Sequence, residues 1–321
     1  MMMYGDTSRK GRPFAKDPAV VWFSGRYWLY YSIPPFEGQH THNGWGGQPD
    51  WGPYRGWGIG IAQSTDLTTW TKVGEILPEG ACEENGICAP GATVLDGRVH
   101  LFYQTYGNGP RDAICHASSA NGMHFHRNPT NPIFAPKGDW TCGRAIDADV
   151  VIDGGRLLLY FATRDASMTT QMLGVAAAAL DSGFERDAWI QLCDAPILKP
   201  ELPWEQECVE APAVCKHRDR FFMFYGGAYN NGPQQIGCAI SGDGVHWRRL
   251  SRDPFLPNGE PGSWNACEAG HPYIFIDDAP VEVGGGETYL FYQGNNDLGR
   301  TWYLSRRRIA WAGGYPYLVE A

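Results

Sequence analysis

One short pattern recurs five times along this chain of 321 residues, and no other feature constrains its fold as strongly. In the first copy, Asp17 opens an apolar run that reaches Phe23, and Gly25 starts a second run that reaches Tyr31. Further copies begin at positions 89, 147, 210 and 271, so that successive copies are separated by 72, 58, 63 and 61 residues. A repeat with this period predicts a ring or stack of similar supersecondary units.

Each copy has the pattern of a small antiparallel sheet. In three copies a glycine lies eight residues after the first position, between two apolar runs, which is typical of a β-hairpin (Gly25, Gly97 and Gly155). A third run follows in every copy, and a fourth in most. Four short strands per repeat of about 60 residues are typical of a propeller blade. The sequence therefore predicts an all-β fold, a five-bladed β-propeller with four antiparallel strands per blade.

The repeats extend from about residue 17 to residue 305, which leaves no room for a second domain. We therefore expect a single propeller domain over residues 1–321, with blades that start near 17, 89, 147, 210 and 271. No stretch shows a helical period over three turns. The segment 309–319 either completes the last blade or pairs with the N-terminal segment to close the ring.

Composition and charge narrow the function classes. The net charge of −9, without a long basic run, argues against nucleic-acid binding, and no apolar run approaches the length of a membrane-spanning helix. The nine cysteines are scattered without CxxC pairs, and the N-terminus lacks the apolar core of a signal peptide. We expect a reduced, cytoplasmic protein, or a periplasmic one if a signal peptide has been removed. The oligomeric state is not predicted.

Aromatic residues are the other compositional signal, with 13 tryptophans. Trp45, Trp51 and Trp57 lie in a loop rich in glycine and proline between two strands of the first blade. Loops of this length in compact domains are usually functional or disordered. Tryptophan there suits sugar recognition, because sugar rings present apolar C–H faces, and Trp51 is a candidate substrate contact. The alternative is a loop whose tryptophans pack on their own blade.

The first residue of each copy defines a polar column that reads Asp17, Ala89, Asp147, Glu210 and His271. The innermost strands of a propeller line its central channel, so these first residues converge at one mouth. Burial beside apolar neighbours can keep one carboxyl protonated while another stays ionised. Two carboxyls on opposite sides of a glycosidic bond are what glycoside hydrolysis needs. The column therefore predicts a catalytic site, with Ala89 as the one member without a polar group.

These residues resemble the five-bladed propeller glycosidases of glycoside hydrolase family 43 and its relatives, including family 117. The motifs that carry the resemblance follow blade order over nearly the whole chain, at residues 16–18, 88–90, 145–147, 210–212 and 270–271. The second blade departs from the family, which often has tryptophan where this chain has Cys88.

The resemblance implies a role for each polar residue of the column. Asp17 looks like the general base that activates water, and Glu210 like the general acid that protonates the departing oxygen. Asp147 looks like the carboxyl that orients the acid and raises the acid's pKa, and Asp149, two residues on, is its rival. The implied reaction inverts the anomeric centre, which requires carboxyls about 6.5–9.5 Å apart. His271 matches a histidine that holds a calcium ion in several relatives, although no cofactor is required.

Amide, arginine and carboxylate groups near the blade starts are further candidates for binding sugar hydroxyls. They are Gln104, Arg144, Asp149, Glu268, His271, Asn296 and Arg300.

The sequence thus favours an exo-acting glycoside hydrolase that releases a terminal sugar from a plant or algal oligosaccharide. The activity would be like that of an arabinofuranosidase, a xylosidase or an anhydrogalactosidase, and the sugar is not predicted. One alternative is a non-catalytic carbohydrate-binding propeller. Another is a propeller phosphorylase, in which Arg144, Arg164 and Arg300 would hold phosphate.

Overall fold

The computed structural model describes residues 3–36, 56–281 and 285–320. Within these ranges the chain forms five sheets of four antiparallel strands, together with short 3-10 turns and no α-helix. The first strand of each sheet packs against the first strands of two neighbouring sheets, which closes a ring. The predicted all-β, five-bladed propeller is therefore confirmed.

The strands follow the chain in simple order, from the innermost to the outermost strand of each blade. Blades 1 and 2 consist of β1 (Lys16–Phe23), β2 (Arg26–Ile33), β3 (Gly58–Ser64), β4 (Thr71–Ile76), β5 (Ile87–Leu95), β6 (Arg98–Thr105), β7 (Ile114–Ser119) and β8 (His126–Arg127). Blades 3 and 4 consist of β9 (Ile146–Asp153), β10 (Arg156–Arg164), β11 (Gln171–Ala179), β12 (Ile190–Gln191), β13 (Val209–His217), β14 (Arg220–Gly227), β15 (Gln235–Ser241) and β16 (Trp247–Arg249). Blade 5 consists of β17 (Glu268–Ile276), β18 (Thr288–Asn295), β19 (Tyr303–Ala312) and β20 (Tyr315–Leu318).

The C-terminal segment completes the fifth blade, because β20 pairs with β19. The N-terminal segment also reaches this blade, through β-bridges of Tyr4 to Leu304 and of Phe14 to Trp302. Of the two arrangements that the sequence left open for the segment 309–319, the structure therefore shows the first, completion of the last blade. The N-terminal segment pairs instead with residues 302 and 304, and these bridges fasten blade 5 to the segment that leads into blade 1.

The hydrophobic core lies between neighbouring blades, because the inner strands of each sheet are covered on both faces. The second strand of blade 1 shows this, with Tyr27, Tyr30 and Tyr31 almost fully buried. Burial of a large apolar side chain stabilises a fold by roughly 1.5–3 kcal/mol, so these strands supply much of the stability. All nine cysteines are free. No helix in the described ranges is long and apolar enough to cross a membrane.

A glycine of the third strand lies under an aromatic ring of the second strand in three blades. The pairs are Gly60 with Tyr31, Gly174 with Phe161, and Gly237 with Tyr225, each directly opposite in register. A Cβ atom on any of these glycines would lie well inside van der Waals contact with the ring. The glycine thus makes room for the ring that fills the space beside the sheet.

We predict that Gly174→Ala and Gly237→Ala each lower the free energy of unfolding by about 1–3 kcal/mol, as overpacked sites do. Urea denaturation followed by tryptophan fluorescence measures this change. Gly74→Ala is the matched control in a strand, because its Cβ would meet the nearest atom, of Met123, at an ordinary 3.6 Å. Equal stability of all three variants would contradict the prediction.

Candidate active site

The inner strands begin around a cavity of 190 Å³ to which all five blades contribute. Among the predicted residues, the cavity lining includes Asp17, Gln104, Arg144, Asp147, Glu210 and His271. The lining also includes Tyr106 and Tyr229, together with Lys16 and Gln171, which the sequence did not single out for binding. The structure therefore brings together the carboxyls that are far apart in the chain.

A larger cavity of 680 Å³ lies beside the outer strands of blades 2 and 3, next to Phe134 and Trp189. Its acidic residues, Asp187 and Asp194, are exposed. Glycoside hydrolysis needs carboxyls on both sides of the bond that breaks, and the smaller cavity brings together carboxyls from three inner strands. The smaller cavity is therefore the candidate active site.

An unusual backbone conformation at the start of each inner strand aims these residues into the cavity. One non-glycine residue per blade has a positive φ, namely Asp17 (53°), Ala89 (47°), Asp147 (53°), Ala211 (49°) and His271 (43°). In every blade the pairing of the first two strands shifts register at this point. Such residues cost of order 1–3 kcal/mol each and cluster at functional sites. Because the bulge interrupts side-chain alternation, two consecutive residues can face the cavity, as Lys16 and Asp17 do.

The position of the bulge shows that the predicted column is displaced by one residue in blade 4. In blade 4 the residue with positive φ is Ala211, so Glu210 occupies the preceding position, which Lys16 holds in blade 1. The sequence contains a signal for this, because an arginine opens the second strand of four blades (Arg26, Arg98, Arg156 and Arg220). Nine residues before each arginine lies position 17, 89, 147 or 211. The column therefore has two apolar members, Ala89 and Ala211. Glu210 reaches the cavity from the position before Ala211.

The bulge also separates Asp147 from Asp149. Simple alternation predicts that both lie on the same face of β9, but the irregularity breaks that alternation, and Asp149 does not line the cavity. Its carboxylate accepts a hydrogen bond of 2.6 Å from the backbone N–H of Val214, in the inner strand of the next blade. Burial raises the pKa of Asp149 to about 7. Asp149 thus joins blades 3 and 4, and the prediction that it faces the site is wrong.

Glutamine side chains hold three of the column residues in place. The Oε1 atoms of Gln293, Gln104 and Gln234 accept the backbone N–H groups of Asp17, Asp147 and His271, at 3.0, 2.8 and 2.9 Å. In each case the glutamine belongs to the blade that precedes the residue it holds. A buried N–H without an acceptor would be costly, so these amides stabilise the strained bulges.

Glu210 is held through both of its carboxyl oxygens. Gln234 donates to Oε1 at 2.6 Å, and Gln171 donates to Oε2. The other contacts of each amide fix its orientation, because Gln171 Oε1 accepts from Arg164 and Gln234 Nε2 also donates to the carbonyl of Ala228. Sequence reasoning missed Gln171 and Gln234, which lie at or just before a third strand, away from the repeated column.

The surroundings of Asp17 favour its ionised form. Burial alone would raise the pKa of Asp17, but the positive charges of His271 and Lys16 hold it below its ordinary value of 3.8. His271 Nδ1 lies 3.2 Å from Asp17 Oδ1. A carboxylate of this kind can accept a proton at neutral pH.

The surroundings of Asp147 have the opposite effect. Burial raises the pKa of Asp147 to about 7, and the negative charges of Glu210 and Asp17 add to this, against the lowering effect of His271. One carboxyl of the cavity is therefore ionised at neutral pH while another holds a proton for part of the time. Two carboxyls with separated pKa values are the arrangement that acid–base catalysis uses.

The remaining predicted residues lie elsewhere. Glu268 does not line the cavity: it accepts hydrogen bonds from Gln293 Nε2 at 2.7 Å and from the N–H of Asn231 at 2.7 Å. It therefore supports the glutamine that holds Asp17. Asn296 and Arg300 are exposed at the end of β18 and in the following turn, and do not line the cavity either. Trp51 lies outside the described residues.

The surroundings of His271 do not form a calcium site by themselves. Calcium takes six to eight oxygen ligands, and in the described ranges no group of three or more His, Cys, Asp or Glu residues could hold a metal ion. The Nδ1 atom of His271 already faces Asp17. A calcium ion held through water near His271 stays a prediction, and no step of the chemistry below depends on it.

Comparison with known proteins shows the family and supports the fold. A family profile described as "Glycosyl hydrolases family 43" matches residues 14–316. Among similar solved structures, a thermostable family-43 glycoside hydrolase has a TM-score of 0.71 and 18% identity, over 99% of this chain and 96% of the other. An endo-1,4-beta-xylanase from Bacteroides thetaiotaomicron has a TM-score of 0.68 and 19% identity, over 96% and 94%. An exo-1,5-alpha-L-arabinanase from a bovine ruminal metagenomic library has a TM-score of 0.63 and 16% identity, over 96% and 98%.

We predict that the carboxyl of Asp147 titrates near pH 7 and that of Asp17 below 3.8. Carbon-13 NMR of the aspartate carboxyl groups measures both values. Glu210→Gln should lower the pKa of Asp147, because it removes a negative charge that disfavours ionisation. Glu79→Gln, at an exposed position outside the cavity, is the control and should leave it unchanged. An Asp147 that titrates like an exposed carboxyl would contradict the prediction.

Proposed function

Because the chain belongs to glycosyl hydrolases family 43 and is a glycoside hydrolase, we propose that it is an exo-acting, inverting enzyme that releases a terminal sugar from plant or algal oligosaccharides. The observation that carries the proposal is the pair of carboxyls, Asp17 and Asp147, whose pKa values are displaced in opposite directions around one cavity. Inverting hydrolysis needs an ionised base and a supply of protons for the acid at the same time, and in this proposal Asp17 is the base and Asp147 supplies the acid, Glu210.

In the proposed reaction Asp17 is the general base. It takes a proton from a water molecule as the water oxygen forms a bond to the anomeric carbon. Glu210 is the general acid, and its proton goes to the glycosidic oxygen as the bond between that oxygen and the anomeric carbon breaks. The two amide donors of Gln171 and Gln234 fix both carboxyl oxygens of Glu210, so that its orientation is set before the substrate arrives.

Asp147 is proposed to keep a proton available for Glu210. The negative charges of the two residues repel each other, which favours one proton between them. At neutral pH Asp147 is near the midpoint of its titration, so the proton that Glu210 gives to the substrate is readily replaced. His271 and Lys16 meanwhile keep Asp17 ionised.

The size of the cavity supports release of a single terminal sugar. At 190 Å³ it is a small cavity, which suits one sugar ring better than an extended chain. Similar structures include an endo-xylanase and an exo-arabinanase. A terminal pentose, as for an arabinofuranosidase or a xylosidase, is therefore the first candidate, and anhydrogalactose the next.

A glycoside phosphorylase is the second candidate. Arg144 and Arg164 line the cavity and could hold a phosphate ion, whereas the third predicted arginine, Arg300, does not line it. Dependence of turnover on added phosphate distinguishes the two. A non-catalytic carbohydrate-binding propeller would not need carboxyls in different protonation states, and nothing in the cavity favours it.

We predict that Asp17→Asn and Glu210→Gln each lower kcat by about 10²–10⁴-fold, the usual contribution of a general base or acid. The assay uses nitrophenyl furanosides and pyranosides together with arabinan- and agar-derived oligosaccharides. Asp153→Asn, in the same strand as Asp147 but at a surface ion pair with Lys216, is the control and should keep its activity. Full activity of either active-site variant, or a product whose anomeric configuration is retained by early NMR, would overturn the mechanism.

We also predict that Gln293→Met lowers kcat by up to about 10²-fold, with a smaller change in KM. The variant removes the acceptor for the N–H of Asp17, and a misplacement of about 1 Å can cost that much. Gln293→Glu keeps an acceptor oxygen and should recover part of the rate. Gln63→Met, in the third strand of blade 1 and outside the cavity, is the control. Equal rates for Gln293→Met and Gln293→Glu would show that Gln293 does not position the base.

A further inference from the structure

Arg164 is a charged side chain whose protein partners are all neutral. Its Nε donates to Gln171 Oε1 at 3.0 Å, and its Nη1 donates to the carbonyl of Met168 at 3.4 Å. The guanidinium lies over the ring of Tyr229, 5.2 Å from the ring centroid. Within the described part of the chain it forms no ion pair, and its Nη2 donates no hydrogen bond.

Arg144 has a weak ionic partner. Its Nε and Nη2 both reach the same oxygen of Asp112, each at 3.4 Å, at the long end of the hydrogen-bond range. Burial raises the pKa of Asp112 in spite of this arginine. The Nη1 of Arg144 donates to no atom among the residues that the structure describes.

Both arginines belong to blade 3 and line the same part of the cavity, because Ala162 and Ile146, each two residues from one of the arginines, are paired across β10 and β9. Each lowers the pKa of Tyr229, which burial raises to about 12. Tyr229 is half-buried and the next residue, Asn230, is exposed, so this side leads towards solvent. Arg164 is also joined to Glu210 through Gln171. The two guanidinium groups therefore lie on the side of the general acid, from which the leaving group departs.

We propose that Arg144 and Arg164 bind an anionic group, a carboxylate or a sulfate ester, on the sugar that departs as the leaving group. The free N–H donors of two guanidinium groups suit the oxygens of such an anion, and hydrogen bonds of this type are stronger than those between neutral groups. The proposal rests on the hydrolase function proposed above and adds its substrate class, an acidic oligosaccharide.

Binding measurements without turnover test this proposal separately from catalysis. The probes are galacturonate, galactose 6-sulfate, neutral galactose and inorganic phosphate, titrated into the intact protein by calorimetry or NMR. We expect at least one acidic sugar to bind about tenfold or more tightly than galactose, and the difference to shrink at high salt. The two acidic sugars distinguish a carboxylate from a sulfate ester.

Variants show whether the two arginines cause the preference. Arg144→Gln and Arg164→Gln should each reduce the ratio of acidic to neutral affinity towards one. Arg98→Gln removes the same charge from the blade 2 hairpin, where Arg98 donates to Ser118, and should keep the ratio. Because the experiment measures the ratio of the two affinities, a variant that binds acidic and neutral sugars equally more weakly leaves the ratio unchanged.

Three results would overturn the proposal. The first is equal affinity for acidic and neutral sugars in the wild-type protein, or no binding of either acidic sugar. The second is a preference that survives both arginine variants. The third is arginine-dependent binding of inorganic phosphate without a preference for acidic sugars, which would assign the pair to phosphate and favour the phosphorylase. Failure of hydrolysis on every glycoside in the screen would affect the proposed reaction but none of these binding results.

Discussion

The candidate active site depends on a strained bulge at the start of each inner strand. In all five blades a non-glycine residue adopts the left-handed conformation there, at a free-energy cost that ordinary strand residues do not have. The bulge turns a strand that is buried on both faces into one that presents consecutive side chains to the channel mouth. It thereby places Asp17, Asp147 and His271 around one cavity, with Glu210 from the position next to the bulge.

The bulges are stable because neighbouring blades hold them. Gln293 of blade 5 holds Asp17 of blade 1, and Gln104 of blade 2 holds Asp147 of blade 3. Gln234 of blade 4 binds both Glu210 and His271, so a single side chain joins the proposed acid to the partner of the proposed base. The geometry of the site therefore depends on closure of the ring. If the ring opened, the glutamine side chains would lose contact with the residues that they hold in the neighbouring blades.

The electrostatics of the cavity follow from the same packing. Burial would raise the pKa of every carboxyl, and the placement of cations decides which one stays ionised. His271 and Lys16 lie beside Asp17 and keep it charged, while Asp147 lies among carboxylates and tends to hold a proton. Arg144 and Arg164 stand on the other side, with weak or neutral partners. One cavity thus separates an ionised carboxylate, a carboxyl that holds a proton for part of the time, and a cationic region.

The sequence by itself determined the number of blades. Turns and strands are specified by residues that are close together in the chain, so the hairpin glycines and apolar runs of each blade recur in the sequence. It also identified Asp17, Asp147 and His271, which follow the repeat directly. Only the tertiary structure decided that Ala211 and not Glu210 occupies the column, and that Asp149 faces Val214 of the next blade. A bulge shifts side chains by one residue, and alternation cannot anticipate it. The glutamines that hold the site also required the structure, because each acts on a different blade, and contacts between blades leave no period in the chain.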